Sequence, residues 1–382
     1  MRGGRGGEAA LPPWAASPGG SGVPQSAKGP GEPGDPVGAR VGRMEAPDLR
    51  NDEEGWHPAG ARVGIMGLGL IGGSLARDLT DLGARVLGFD ADPKTLEAAL
   101  ASGVVHEALP GWGRGHPSGG PPGAAPGASA LARIPLDVLV LAVPVAAALP
   151  LLASGAPHLG HVPLVTDVGS TKASITSAAG SLGLGERFVG SHPLAGSHVS
   201  GWKASRTGLF RDARVYLCPV PKTGSEAEEG RPHPGKGHEA AGGDDDAGLH
   251  GTAGPVSRES LRRARGLWAA VGAFPQVMDA AAHDRLLAWT SHLPQAASTA
   301  LALALAGAGV RPGDLGPGGR DVTRLAASSP SLWTGIALDN AGALLEGLAA
   351  LEKELATLRE GLARGDGKAV HAFFSRGASW RE

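Results

Sequence analysis

The stretch VGSHPLAGSHVSG, residues 189–201, places two histidines, His192 and His198, six positions apart among Gly, Ser and Pro. That composition suits no regular helix. Turn-forming residues of this kind read as a loop, and loops on a rigid scaffold often carry catalytic groups. An imidazole changes charge near neutral pH, so it can take or give a proton in a reaction. The chemistry this stretch offers is therefore general acid–base catalysis.

A second constellation supplies a partner for that base. Gly67-Leu68-Gly69-Leu70-Ile71-Gly72 matches G-x-G-x-x-G. The pattern alone is weak, but here it follows a strand-like VGIM, opens a helix-like SLARDL, and is followed by a second strand ending at Asp90. Gly67 permits the tight turn, Gly69 lets backbone approach a pyrophosphate, and Gly72 allows close helix–strand packing. The helix N-terminus faces the phosphates with its positive dipole end. Asp90 can accept hydrogen bonds from both ribose hydroxyls and would repel a 2′-phosphate. Ala91 and Asp92 offer no arginine to receive one, so the expected cofactor is NAD rather than NADP. Leu70 and Ile71 in the turn, with Val143 and Pro144 at the end of the apolar run 136–144, complete the candidate cofactor contacts.

These groups need elements to hold them. ARVGIMGLGLIGGSLARDLTDLGARVLGFD reads as strand, turn, helix, strand. LDVLVLAVP (136–144) is a continuous apolar run, as in a strand buried on both faces of a parallel sheet. VPLVTDVG (162–169), RFVGSHP (187–193) and ARVYLCPV (213–220) read as further strands. Alternating strands and helices predict an α/β fold, a Rossmann-type doubly wound sheet, over 59–220. Residues 1–58 are rich in Gly, Pro and charge and predict a disordered extension; Met44 is a candidate alternative start. Low-complexity segments at 111–130 and 222–254 read as solvated loops, the second lying in a flexible linker at 221–256. His233, His238 and His250 there present no fixed geometry for a metal, and none is expected.

From 257 to 382 the pattern predicts an all-α domain. SRESLRRARGLWAAVG is one helix. AHDRLLAWTSHLPQAASTALALALA is a second, kinked at Pro294. A third starts near Ser331 and carries leucines at 344, 348, 351, 355, 358 and 362, spaced by four and three. That seam suits another helix, within the domain or, preferably, across a homodimer.

Composition narrows the class. The chain has 382 residues and a formal net charge of −2, which argues against nucleic acid or an anionic membrane as main partner. The single cysteine, Cys218, precludes an internal disulfide and suits a reducing, cytoplasmic location. Neither a signal-peptide core nor a run of about 18 apolar residues is present.

DVGSTK (167–172), GSHPLAGSHVSG (190–201), HDRLLAWTSHLPQ (283–295) and GGRDVTRLAASSPSLW (318–333) together resemble the motifs of the prephenate/arogenate dehydrogenase family. The resemblance runs from about 62 to 362 and omits the two insertions. It implies a Rossmann domain followed by a helical dimerisation domain. It also implies oxidative decarboxylation of prephenate to 4-hydroxyphenylpyruvate, the precursor of tyrosine. Hydride leaves the carbinol carbon for the nicotinamide, CO2 departs, and a near-neutral base beside the hydroxyl is required. His192 matches the histidine of the family's HP-x-AG motif. Ser170 matches a serine that hydrogen-bonds near it, although a serine after a strand-end glycine also caps helices. Lys172 reads as surface charge. Arg324 matches the arginine that forks onto a substrate carboxylate. Trp333 matches a family tryptophan, with core packing as its alternative. Asp321 reads as a residue that orients an arginine or caps a helix.

Two departures carry information. His198 stands where some relatives have a carboxylate that accompanies recognition of arogenate's ammonium, which tilts the substrate toward prephenate. Gln295 stands where many relatives have a histidine; it can hydrogen-bond a ligand but carries no charge. Ser291 and Gln295 share a helix face, while His292 falls on a neighbouring face and reads as structural. A hydroxyacid dehydrogenase with a Rossmann and helical dimer domain is a competing reading. It typically needs a catalytic lysine on the second domain's first helix, and no lysine lies between Lys236 and Lys353. A non-catalytic NAD-sensing protein would have no use for the His192, Ser170 and Arg324 set. No separate helical domain for chorismate mutase precedes the sheet, and the end at Glu382 leaves no room for a regulatory ACT domain.

Overall fold

The computed structural model describes residues 55–110, 126–196, 199–220 and 258–381. The extension through residue 54, most of the first insertion, the linker, His198 and the histidines at 233, 238 and 250 lie outside the described residues.

The chain builds an eight-stranded sheet in the order β3-β2-β1-β4-β5-β6-β7-β8. Its strands are β1 (Arg62–Met66), β2 (Arg85–Phe89), β3 (Glu107–Ala108), β4 (Val138–Leu141), β5 (Leu164–Asp167), β6 (Phe188–Pro193), β7 (Arg214–Pro219) and β8 (Phe274–Val277). All neighbours are parallel except β6 and β7. Helices α1 (Leu70–Asp81), α2 (Pro93–Ala101), α3 (Pro126–Leu131), α4 (Val145–Gly155), α5 (Ala173–Ser181) and α6 (Arg258–Ala270) accompany the sheet.

β4 shows why its sequence is apolar throughout. Val138 and Val140 join a core cluster with α1 and α6, whereas Leu139 and Leu141 join the opposite cluster with α4 and α5. Successive side chains of a strand point to opposite faces, and both faces are covered. The strand order reverses between β1 and β4, so their C-terminal ends open into a crevice where open α/β sheets bind ligands.

The sheet extends beyond residue 220, where the sequence pattern ended it. β8 pairs with β7, and α6 buries Ala264, Leu267 and Trp268 in the same cluster as β1. The segment expected to be all helix from 257 therefore contributes a helix and a strand to the sheet first. β8 is four residues long and contains Pro275, too short and too broken to announce itself. Two further corrections concern supposed loops. The end of the first insertion, from residue 126, forms α3 together with Leu131. Trp56, within the presumed extension, packs against the core, and the Arg263 guanidinium lies 5.6 Å from its ring centroid.

The remaining helices are α7 (Ala280–Leu287), α8 (Leu293–Gly307), α9 (Pro317–Thr323), α10 (Pro330–Asp339), α11 (Ala341–Ala363) and α12 (Gly367–Arg381). Between α7 and α8 the chain does more than kink: Ala288–His292 form a π-helical turn immediately before Leu293 and Pro294. Proline removes a backbone donor and displaces the carbonyl one turn back, and a widened turn accommodates both. α12 folds back on α11, with an Arg376–Glu354 ion pair at 2.8 Å. The leucine seam is only partly covered within one chain: Leu344 is buried, but Leu355 and Leu362 are exposed, as are Leu303, Leu338 and Leu345.

Candidate active site

The glycine turn joins β1 to α1. Gly67 has φ +92°, and a Cβ there would lie 2.3 Å from the Ala142 carbonyl oxygen. A Cβ on Gly72 would lie 2.0 Å from the Gly67 carbonyl oxygen. Gly69 has nothing among the described residues within 4 Å of its would-be Cβ. Two glycines thus close the turn and the third leaves bare backbone at the helix N-terminus, the arrangement a pyrophosphate needs. Asp90, just past β2, is held by the turn itself: Oδ2 accepts from the Leu68 amide at 2.7 Å and Oδ1 from the Asp92 amide at 2.9 Å. Val143 lies against the turn, its Cγ1 3.1 Å from the would-be Cβ of Gly67, and Pro144 is the N-cap of α4. These residues fit a dinucleotide. We expect Gly72→Ala to weaken NAD binding at least about tenfold and to cost roughly 1–3 kcal/mol by overpacking, measured by titration calorimetry and thermal unfolding.

His192 is not on a loop. It lies on β6, every residue of which is buried, and is itself 8% exposed. Its Nδ1 lies 2.9 Å from Nε2 of His283 on α7, and His283 Nδ1 lies 2.8 Å from Asp284 Oδ1. Asp284 also accepts from the amides of Lys172 and Ala173, both at 2.8 Å. Burial raises the Asp284 pKa, but these hydrogen bonds outweigh it and the carboxyl is held below its ordinary value. As an ionised acceptor, Asp284 fixes the proton of His283 on Nδ1. His283 Nε2 is then an acceptor, so His192 donates through Nδ1 and keeps its Nε2 unprotonated. Burial first, then the nearby His283 and Lys172, push the His192 pKa well below the ordinary imidazole value. The result is a neutral, oriented base.

The surroundings lock this chain in place. Tyr216 on β7 opposes His192 in register and meets His283 edge-on at 5.4 Å between centroids. Trp268 Nε1 donates to Ser191 Oγ at 3.0 Å, and that hydroxyl also bonds Thr166 Oγ1 at 2.8 Å. Lys172 is not surface charge. It is fully buried and pairs with Asp167, whose pKa burial raises against the lowering effect of the ammonium.

The helical side forms a cleft of about 330 Å³ lined by residues including His292, Gln295, Thr299, Trp333 and Leu344. Gln295 and Trp333 thus share one cavity. Gln295 is nevertheless committed structurally: its Nε2 donates to the Leu325 carbonyl at 2.8 Å and its Oε1 accepts from Ser328 at 3.3 Å. These bonds, with Ser298 Oγ to the Val322 carbonyl at 2.7 Å, hold the segment that carries Arg324. Arg324 is exposed at the start of a 3₁₀ turn, Arg324–Ala327.

Ser291 is half-buried and does not line the cleft, whereas His292, read as structural, does. A π turn holds more residues than an α turn, so helical spacing counted from the sequence does not carry across it. Ser170 is half-buried between β5 and α5, and Asp284, rather than Ser170, caps the first amides of α5. Sequence reasoning missed His283, Asp284 and Lys172. The available sign was a His-Asp pair within the apolar stretch AAAHDRLLAW, but proximity to His192 required the fold.

Comparison with known proteins shows what the chain resembles. The family described as "Prephenate dehydrogenase, nucleotide-binding domain" matches residues 125–229, and "Prephenate dehydrogenase, dimerization domain" matches 279–376. The chain is 28% identical over 323 residues to prephenate dehydrogenase from Bacillus subtilis, covering 83% of this chain and 74% of that one. It is similar to the crystal structure of Synechocystis arogenate dehydrogenase, with 28% identity, TM-score 0.59, and coverage of 84% of this chain and 98% of that one. It is likewise similar to prephenate dehydrogenase from Aquifex aeolicus in complex with hydroxyphenyl propionate and NAD+, with 25% identity, TM-score 0.63, and coverage of 84% and 97%.

Proposed function

The chain belongs to the prephenate dehydrogenase family, and from that premise we propose that it is an NAD-dependent oxidoreductase converting prephenate to 4-hydroxyphenylpyruvate and CO2. The observation that carries this reading is the His192–His283–Asp284 chain, which leaves a neutral imidazole with its Nε2 lone pair available. Bound NAD would accept the hydride. His192 takes the hydroxyl proton as the carbinol is oxidised, and loss of CO2 then makes the ring aromatic. His283 and Asp284 act as positioning residues: they set the tautomer and orient the ring so that Nε2 keeps its lone pair.

Arg324 holds a substrate carboxylate through its guanidinium fork. We expect Arg324→Ala to raise KM roughly 10- to 100-fold. Steady-state kinetics check this, and an unchanged KM removes Arg324 from the pocket. Ser170 hydrogen-bonds the reacting hydroxyl. The exposed leucines of α8, α10 and α11 support a homodimer that covers them. Among the described residues, no helix is long and apolar enough to cross a membrane.

The deciding experiment follows NADH absorbance with purified protein, NAD, and either prephenate or arogenate. NADH with prephenate supports the proposal. NADH with arogenate alone replaces the substrate. The similarity to an arogenate dehydrogenase structure keeps that second reading in play. No NADH with either rejects both.

A further inference from the structure

His292 has the features of a ligand-binding group. It is 2% exposed, yet its Nε2 has no hydrogen-bond partner among the described residues. Its protonation follows from its neighbour. Asn340 Nδ2 donates to the Asp284 carbonyl at 2.7 Å, which fixes the amide's orientation, and the same nitrogen lies 3.1 Å from His292 Nδ1. His292 Nδ1 must then accept, so in the neutral ring the proton sits on Nε2. Burial, chiefly, holds the His292 pKa down to about 4, so the ring is neutral at physiological pH. His292 therefore presents a buried N–H donor that meets no acceptor among the described residues. Such a group costs stability unless something occupies it.

The position is informative. His292 lines the cleft that also contains Trp333, its ring centroid 6.0 Å from that of the indole in an edge-on contact. Through Asn340 and Asp284 it is also tied to the hydrogen-bonded chain that ends on His192. The cleft is lined by an aromatic wall and by the His292 imidazole, which suits a planar ring bearing an oxygen acceptor.

Resting on the dehydrogenase reading above, we propose that His292 is a substrate-binding residue whose Nε2–H donates to a carboxylate or keto oxygen of the bound cyclohexadiene acid. It binds the ground state and the transition state alike and takes no part in proton transfer, so its loss shows in KM and not in kcat.

Two substitutions separate this role from packing. Asn places its amide near the Nδ1 position and can still meet Asn340, but it lacks the Nε2 donor. Gln places an N–H near Nε2. With full-length protein, NAD and prephenate, we expect His292→Asn to raise KM about 10-fold or more with kcat within roughly twofold. His292→Gln should recover most of that loss. The affinity for 3-(4-hydroxyphenyl)propionate, titrated into the NAD-loaded protein, should follow the same order. An unchanged KM and affinity in His292→Asn overturns the assignment, as does an equal loss in both variants. Should His292→Asn not fold, the wild-type His292 Nε2–H proton resonance decides: a shift on adding 3-(4-hydroxyphenyl)propionate supports the proposal, and an unmoved resonance overturns it. The wild-type control keeps the two readings apart. If it makes no NADH from prephenate or arogenate, the dehydrogenase reading fails; if it does while His292→Asn matches it, only the role of His292 fails.

Discussion

Replacing His192 with Asn is expected to lower kcat roughly 10²- to 10⁴-fold, the range for losing a positioned general base, with little change in KM. Asn keeps an N–H near Nδ1, so the bond to His283 Nε2 can persist and the strand is not obliged to rearrange. What disappears is the lone pair on Nε2. The accompanying pH profile has a definite sign. Because burial depresses the His192 pKa well below the ordinary imidazole value, the neutral base persists through the pH range in which an exposed histidine would already be protonated. In the wild type, kcat/KM should therefore hold as pH falls through about 6.5 and decline only as pH drops through the depressed value. A His192→Asn enzyme with near-normal kcat would remove this residue from the chemistry. A wild-type limb near 6.5 would contradict the depressed pKa.

The second large effect concerns stability. Lys172 is fully buried and pairs with Asp167, itself 1% exposed. Taking one partner away strands the other charge in the core. Lys172→Met should cost about 3–5 kcal/mol, a fall in Tm on the order of 10 °C for a chain of this size. Replacing both residues, as in Lys172→Met with Asp167→Leu, should recover a large part of that loss, because desolvation largely offsets the attraction within a buried pair. Asp167 also accepts from the amides of Gly169 and Ser191, so recovery should be incomplete. Thermal unfolding of the two single variants and the double variant measures the coupling. A Lys172→Met protein as stable as wild type would show that the ammonium is not needed at this position.

The pair also explains why β5 and β6 hold their ends together. Asp167 closes β5 and reaches the Ser191 amide of β6, one residue before His192. Trp268, from α6, bonds the Ser191 hydroxyl on the same strand. The strand that carries the base is therefore anchored by two elements distant in sequence, β5 and α6, and its environment is a property of their packing.

Much was legible in the chain alone. The glycine turn, Asp90 and the apolar run of β4 are local patterns whose physics is short-range: a positive φ at Gly67, a would-be Cβ collision at Gly72, and alternate faces of a doubly covered strand. Pro294 foretold a disturbed helix because a missing amide hydrogen is a local fact. His192 and the order of the four motifs sufficed for the family. The limits were equally physical. A four-residue strand such as β8 has no periodicity to read and exists because β7 offers its edge. Lys172 has the composition of a surface residue and is buried only because Asp167 meets it there. His283 approaches His192 across 91 positions, and no spacing rule spans that interval. Helical faces could not be counted across the π turn, so it was not legible that His292 rather than Ser291 lines the cleft. Sequence determined which residue types were available and which local elements they form. Tertiary packing decided their protonation and their partners, because burial and hydrogen-bond direction depend on groups that only the folded chain brings within reach.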